Sequence, residues 1–150
     1  MSDAYELLEA DLRAGPTATA MLERRSGERV RACVIATAAP PGAAPRAVTG
    51  EGPIAYRRVQ LVAGDTVLSD ADNWYLPDRL TPAMRAALAD SDAPFGAVIA
   101  PLAPRRELLS VARVTEGEHA LEVHALVRAA DGMLLAEVVE HYARELLDAR

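Results

Sequence analysis

Two neighbouring arginines open the stretch of the chain that carries the clearest chemistry, residues 56–77, YRRVQLVAGDTVLSDADNWYLP. This stretch predicts two β-strands around a turn at Gly64-Asp65. Because side chains alternate between the two faces of a strand, Arg57 and Arg58 must point to opposite faces. If one face is the core, one guanidinium points inward, and a buried guanidinium is costly unless it meets an anion. The pair therefore indicates an anion-binding site.

A glutamate in an apolar run is the second candidate. Glu137 lies in the segment MLLAEVV at residues 133–139, and Glu140, three positions on, faces the other way in a strand. A carboxylate on an apolar face is either desolvated, with a raised pKa, or paired with an arginine. Two interpretations stay open. Glu137 forms a structural ion pair across the sheet, or it converges with Arg58 in an internal pocket, where the arginine holds a ligand carboxylate and Glu137 a ligand hydroxyl.

Two further groups of side chains have a functional and a structural interpretation. Arg105 and Arg106 begin a strand after a proline-rich turn, and either one of them reaches the pocket or both are solvated residues at a strand end. The histidines, by contrast, lie on two late strands, where we expect surface or hydrogen-bonded roles rather than a metal site; they are His119, His124 and His141.

Composition limits the class of protein. The 150 residues are 51% hydrophobic and 25% charged, which favours one globular domain over residues 1–150. A formal net charge of −6 argues against a general nucleic-acid binder. One cysteine excludes a disulfide framework, and no segment has the length and apolarity of a signal peptide or a membrane span. We therefore expect a cytoplasmic protein without disulfides.

The pattern of apolar residues and turns predicts an α+β fold. Helices are expected over residues 3–14, about 17–25 and 81–91, with a short helix after Pro94. The last three strands are joined by short turns and so cannot be parallel. We expect an antiparallel sheet of about six strands with a few helices packed against it; the strands cover about 29–38, the two arms of 56–77, 105–115, 119–129 and 133–147, the last with a helical end. The long loop at 39–53 is either flexible or a lid over a pocket.

No nucleotide-binding, zinc-protease or serine-hydrolase motif is present. The order and spacing of several short stretches, however, resemble the chorismate pyruvate-lyase family, whose fold is shared by the effector-binding domains of a class of bacterial transcription regulators. The resemblance covers most of the chain from residue 16 onward. Its main stretches are Arg58 to Pro77, Ala93-Pro94-Phe95-Gly96, Arg105-Arg106-Glu107 and Asp131 to Glu137.

The resemblance implies an activity and a set of site residues. The family converts chorismate to 4-hydroxybenzoate and pyruvate, without cofactor or metal, by orienting the substrate and stabilising charge on the leaving group. It implies that Arg58 binds the ring carboxylate, that the backbone near Phe95 and Gly96 helps to hold it, and that Glu137 binds the para hydroxyl. Phe95 stands where the family has leucine, and residues 140–142 are more polar than in the family. This chain is therefore expected to be a divergent member with its own substrate.

Three functions remain open at this point. The first is a lyase that acts on chorismate or a close relative, with Arg58 and Glu137 as catalytic residues. The second is a module that binds an aromatic or sugar acid in the same pocket without turnover. The third is a fold with a collapsed pocket that serves protein association. We expect an aromatic or enol-pyruvyl acid as the partner, no nucleic acid or membrane, and a monomer or homodimer. Residues 1–55 are read as two helices, a strand and a loop, so no helix-turn-helix is expected before the hairpin.

Overall fold

A single antiparallel sheet of six strands organises the protein. The computed structural model describes residues 3–14, 17–40 and 45–148. The strand order across the sheet is β1-β2-β3-β6-β5-β4. The strands are β1 Arg31–Ala36, β2 Ala55–Ala63, β3 Thr66–Tyr75, β4 Arg105–Arg113, β5 His119–Arg128 and β6 Leu134–Ala143. The predicted α+β fold is confirmed.

Tight turns join the neighbouring strands where the sequence places glycine. Gly64 between β2 and β3 has a φ of 58°, and Gly132 between β5 and β6 has a φ of 91°. Both values lie in the left-handed region, which glycine enters without the steric cost of a Cβ atom. The final strand is followed by a 3₁₀ helix at Arg144–Leu147, which agrees with the expected helical end.

Within the described ranges four α-helices accompany the sheet, at α1 Ala4–Ala14, α2 Ala18–Ser26, α3 Pro82–Asp90 and α4 Phe95–Val98. Threonine hydroxyls cap two of them. The hydroxyl of Thr17 accepts a hydrogen bond from the Ala20 amide at 3.1 Å, and that of Thr81 accepts one from the Met84 amide at 3.2 Å. Two 3₁₀ helices, Pro77–Arg79 and Ala100–Leu102, complete the connections. No helix in the described ranges is long and apolar enough to cross a membrane.

The helices cover one face of the sheet, which we call the inner face, and the main core lies between them. Alternate residues of the central strands supply its sheet side, among them Leu61, Leu121, Val123, Val138 and Tyr142. The helices contribute Leu8, Met21, Leu22, Met84 and Leu88, all buried. The inner face is thus the face on which a buried ligand would be enclosed.

The opposite, outer face has a second and smaller core. Val48 is fully buried there against Tyr56, Trp74, Leu126 and Leu134. The loop segment 45–51 therefore packs over the outer face. This second core explains why β6 begins with consecutive apolar residues rather than alternating ones, since both of its faces are covered there.

Candidate functional site

A cavity of about 380 Å³ lies between the inner face of the sheet and the helices α2 and α4. Val59, Ala71, Asn73 and Val138 form part of its sheet side. The residues at 17–20 and 94–97 form the opposite wall, so the capped start of α2 and the whole of the short helix α4 enclose it. Its size is within the usual range for small-molecule sites, roughly 300–1,000 Å³.

An arginine–glutamate pair supplies two of the charged residues of the lining, which also includes Glu23. Arg106 Nη1 and Nη2 donate to the two carboxylate oxygens of Glu140 at 2.9 and 2.6 Å, and the Tyr142 hydroxyl donates to Glu140 at 3.0 Å. Burial lowers the pKa of Arg106, but the charge of Glu140 and its hydrogen bonds outweigh this and raise that pKa overall. Burial and the nearby carboxylate raise the pKa of Tyr142. Arg106 and Glu140 thus form a bidentate ion pair in the cavity wall.

Arg57 is the arginine that points inward, and it is among the most buried side chains of the described chain, with 1% exposed. Its Nη2 donates to the backbone oxygens of Ser91 and Ala93 at 3.2 and 3.0 Å. Its Nε and Nη1 have no hydrogen-bond partner among the described residues, and none of these residues places a carboxylate within 4.0 Å of it. Burial lowers the pKa of Arg57, although the charges of Tyr75 and Asp92 oppose this.

Asn73 lies directly beside Arg57, because the two residues are register partners on β3 and β2. Asn73 is 5% exposed and lines the cavity, and its buried Oδ1 has no partner within the described ranges. One of the carbonyls that Arg57 holds, that of Ala93, immediately precedes Pro94, which lines the cavity. Arg57 is not itself part of the lining, but it adjoins two lining residues, Asn73 and Pro94.

Arg58 points to the outer face, as its position next to Arg57 requires. Its Nε and Nη2 bind the carboxylate of Asp70 at 2.9 and 2.6 Å, while 44% of its side chain is exposed. The hydrogen bond and charge of Asp70 raise the pKa of Arg58, and that of Asp70 is correspondingly lowered. Both residues line a separate recess of about 420 Å³ on this face, next to the Tyr56–Asp72 hydrogen bond.

Glu137 also points to the outer face, where it holds the loop at 45–51. Its carboxylate accepts hydrogen bonds from the backbone amides of Arg46, Ala47 and Val48 at 2.7–3.3 Å, and it lies 2.6 Å from His124 Nε2. Burial raises the pKa of Glu137, but these hydrogen bonds outweigh burial and lower it overall. In this structure Glu137 is a bound acceptor on the outer face and is not part of the cavity lining.

The structure divides the predicted site residues between the two faces. Phe95, Gly96 and Arg106 line the cavity, whereas Arg58, Arg105 and Glu137 do not. Arg105 is exposed, with its Nη2 3.5 Å from the Ala130 oxygen. The expected meeting of Arg58 and Glu137 in one internal pocket is not found. Their places at the inner face are taken by side chains whose roles the sequence did not assign, namely Arg57, Asn73 and Glu140.

Two further sequence expectations concern the loop and the histidines. Residues 41–44 of the expected lid lie outside the described residues, and segment 45–51 covers the outer face. His119 and His141 lie against each other with ring centroids 5.3 Å apart, and His141 binds Glu122 at 2.9 Å. Within ranges 3–14, 17–40 and 45–148, no three histidine, cysteine or acidic side chains are placed to hold a metal ion.

Comparison with known proteins gives one relative by sequence and several by structure. No protein-family model matches the chain. The uncharacterized protein y4mC of Sinorhizobium fredii is 35% identical over 118 residues, which are 64% of this chain and 50% of y4mC. The chain thus spans about half the length of the curated relative it matches.

The structural neighbours include an effector domain and a transcriptional regulator. The effector domain of PhnF from Mycobacterium smegmatis superposes with a TM-score of 0.63 at 12% identity, covering 87% of this chain and 91% of that domain. In the structure of PhnF itself the match covers 86% of this chain and 64% of PhnF, with a TM-score of 0.61 at 10% identity. A GntR-family transcriptional regulator from Enterococcus faecalis matches with a TM-score of 0.52 at 13% identity, over 76% of this chain and 94% of its own. The chain therefore has the chorismate-lyase-like α+β fold that it shares with the PhnF effector domain and the Enterococcus faecalis regulator.

Proposed function

We propose that this chain is a small-molecule-binding module that encloses an organic acid in the cavity between its sheet and the helices α2 and α4. The observation that carries the proposal is Arg57, a buried cation without a carboxylate partner among the described residues, beside the unpaired amide of the cavity residue Asn73. The remaining walls are mainly apolar and suit the ring or hydrocarbon body of a small acid.

The energetics of Arg57 favour an anionic ligand. Moving a charged group out of water costs roughly several kcal/mol of solvation free energy, unless a nearby opposite charge compensates for it. Two backbone carbonyls offset part of this cost for Arg57. A ligand carboxylate at the adjacent end of the cavity supplies the missing counter-charge and accepts from the unpaired N–H groups. Bound acid is therefore expected to stabilise the folded protein.

The structural neighbours support a binding role more than a catalytic one, because they are effector domains and transcriptional regulators. By analogy of fold, the proposed role is that of a sensor domain, whose ligand changes the behaviour of whatever it is joined to. The proposed sensing role depends on this analogy of fold, whereas the proposed ligand binding depends on the cavity and its residues.

Pyruvate elimination from chorismate is the second candidate function. The observation that favours it is a cation and a carboxylate in the cavity lining, Arg106 and Glu140, with the buried Tyr142 hydroxyl donating to Glu140 from behind. Such groups orient an anionic substrate and stabilise charge on a leaving enol-pyruvyl group. Under this candidate the roles that the family resemblance gives to Arg58 and Glu137 pass to inner-face residues.

The experiment is a thermal-shift series with chorismate, 4-hydroxybenzoate and small aromatic and hydroxy acids, run beside an assay of pyruvate release. Two variants locate the site. Ala71→Phe fills the cavity from β3, and Ala112→Phe places the same side chain at an exposed position of β4 as a control. The proposal predicts a rise in melting temperature for the parent and for Ala112→Phe, and none for Ala71→Phe.

The outcomes separate the two candidate functions. A shift without pyruvate release supports the binding module, and stoichiometric excess of pyruvate over protein supports the lyase. If no acid in the series changes the melting temperature of the parent protein, the proposed binding of organic acids is wrong. If Ala71→Phe keeps the full shift, ligand binds elsewhere and the cavity is not the site.

A further inference from the structure

Asn73 brings to the cavity lining a buried side-chain oxygen that has no hydrogen-bond partner in the described protein. Its Oδ1 is fully buried and unpaired, and the whole residue is 5% exposed. By contrast, Arg106 and Glu140 satisfy each other, and Thr17 caps α2. A buried amide left unpaired costs about 1–3 kcal/mol, so its retention indicates a partner that the protein itself does not supply.

The chemistry of an asparagine amide defines what that partner must offer. The amide has one group that donates and one that accepts, and at Asn73 neither is used within the described ranges. A carboxylate can only accept, so it leaves the amide oxygen unpaired. A hydroxyl both donates and accepts, so it is able to satisfy the amide oxygen or the amide nitrogen, in either orientation of the side chain.

Asn73 and Arg57 are neighbours on the inner face of the sheet. The residues are directly opposite each other on adjacent antiparallel strands, so their Cβ atoms lie about 5 Å apart on the same face, and the longer Arg57 side chain carries its guanidinium to the Ser91 and Ala93 carbonyls. A ligand with a short spacing between its carboxylate and its hydroxyl suits this arrangement. A hydroxyl on the carbon next to the carboxylate meets this condition, whereas a para hydroxyl lies across the whole ring.

We propose that the cavity recognises a 2-hydroxy acid with an apolar substituent, and that Asn73 is the residue that selects for the 2-hydroxyl group. This inference rests on the proposed function, since it specifies the ligand of the same cavity. Arg57 binds the carboxylate and the Asn73 amide binds the hydroxyl. The apolar walls around Val59, Ala71 and Phe95 contact the substituent.

The test compares matched acids that differ only in the 2-hydroxyl group. Isothermal titration measures binding of mandelate against phenylacetate, and of 3-phenyllactate against 3-phenylpropionate, with each hydroxy acid used as separate enantiomers. The parent protein is expected to bind one enantiomer of a hydroxy acid at least about tenfold more tightly than the acid without the hydroxyl, as expected for loss of a hydrogen bond at a built polar site.

The variant Asn73→Leu supplies the control, because leucine has the same number and branching of side-chain heavy atoms and no polar atom. In this variant the hydroxy acid is expected to bind no better than its matched acid, while the acid without the hydroxyl keeps its parent affinity. That retained affinity shows that the cavity is folded. Equal binding of both matched acids by the parent, or an unchanged preference in Asn73→Leu, overturns the inference but leaves the proposed function standing. Failure of all four acids to bind the parent overturns the inference; failure of every acid in the thermal-shift series overturns the proposed function.

Discussion

Among the buried and half-buried arginines of the described ranges, three have different counter-charges, namely Arg25, Arg57 and Arg106. Arg25 binds Asp11 at 2.7 Å, and Arg106 binds both oxygens of Glu140. Arg57, the most buried of the three, has backbone carbonyls but no carboxylate within 4.0 Å among the described residues. Structural ion pairs account for the first two arginines. For Arg57, we infer that the counter-ion is a ligand.

Glu137 is a buried charged residue whose role in this structure is to hold a loop, not to bind a ligand. Three backbone amides and His124 surround its buried carboxylate, so glutamine at this position keeps one acceptor and loses the charge. Glu137→Gln is expected to lower the free energy of unfolding by about 2 kcal/mol, because hydrogen bonds to a charged acceptor are lost. Urea denaturation measures this change.

The matched control for this prediction is Glu107→Gln. Glu107 binds Arg128 at the surface, where an ion pair contributes about 0–1 kcal/mol. If Glu137→Gln is no more destabilising than Glu107→Gln, the carboxylate does not hold the loop in solution. Ligand binding is expected to be unchanged in both variants, since neither residue lines the cavity.

The lowered pKa of Glu137 predicts a pH dependence with a definite sign. A carboxyl group whose pKa is lower in the folded state stabilises the protein above its unfolded pKa, about 4.3 for glutamate, and loses this contribution as the pH falls through the folded value. The difference in unfolding free energy between the parent and Glu137→Gln is therefore expected to shrink as the pH falls below about 4. A difference that grows below about pH 4 contradicts the assignment.

At the scale of elements, the close approach of α4 to α2 determines how the cavity is enclosed. A Cβ atom on Gly96 would lie 3.3 Å from Thr17 Cγ2, so the two helices meet where α4 has no side chain. Gly96→Val is expected to push the start of α2 away, lowering stability by about 1–3 kcal/mol and weakening ligand binding. Thermal unfolding and titration measure the two effects.

Thr17→Ser is the matched partner for this test. Serine keeps the hydroxyl that caps α2 and removes the Cγ2 methyl that Gly96 faces. The double variant is expected to recover part of the stability and affinity lost in Gly96→Val. No recovery would mean that the effect comes from α4 alone and not from its contact with α2.

Most elements of the fold were predictable from sequence because each has a local signal. Thr17 and Thr81 cap helices, and Gly64 and Gly132 lie in the turns of β-hairpins. The predicted strands correspond to the six in the sheet. These signals act over a few residues and do not depend on which face of a strand is covered.

The composition of the site was harder to predict because it depends on which face each strand residue occupies. The alternation of side chains along a strand places Arg57 and Arg58 on opposite faces of the sheet, but it does not show which of them lies on the inner face. Register shifts in β1–β2 and β2–β3 add to the difficulty, since each changes the face on which later residues lie. Glu137 was expected inside because its neighbours are apolar, but those neighbours are apolar on both faces, owing to the loop packed around Val48.

At the scale of the whole molecule, the sheet separates two environments. The inner face holds the main core and the cavity, and the outer face holds the second core, Glu137 and the charged recess. Strands β2, β3 and β6 contribute residues to the cores on both faces, so we expect the two cores to unfold together.

Trp74, the single tryptophan of the chain, makes this expectation testable. It is buried in the outer core, so its fluorescence reports that face, while far-UV circular dichroism reports the whole fold. Both signals are expected to give the same thermal midpoint and to shift together when ligand binds the inner cavity. Separate midpoints would contradict the prediction that residues 1–150 form one domain.

The most direct test of the account compares Arg57→Met with Arg58→Met by isothermal titration, using the acid that most raises the melting temperature of the parent protein. The two variants remove the same charge from adjacent positions on opposite faces. The account predicts that Arg57→Met binds about ten- to a hundredfold more weakly, as expected for loss of charge-assisted hydrogen bonds, while Arg58→Met binds like the parent. Full binding by Arg57→Met together with loss of binding by Arg58→Met would contradict the account and place the ligand on the outer face.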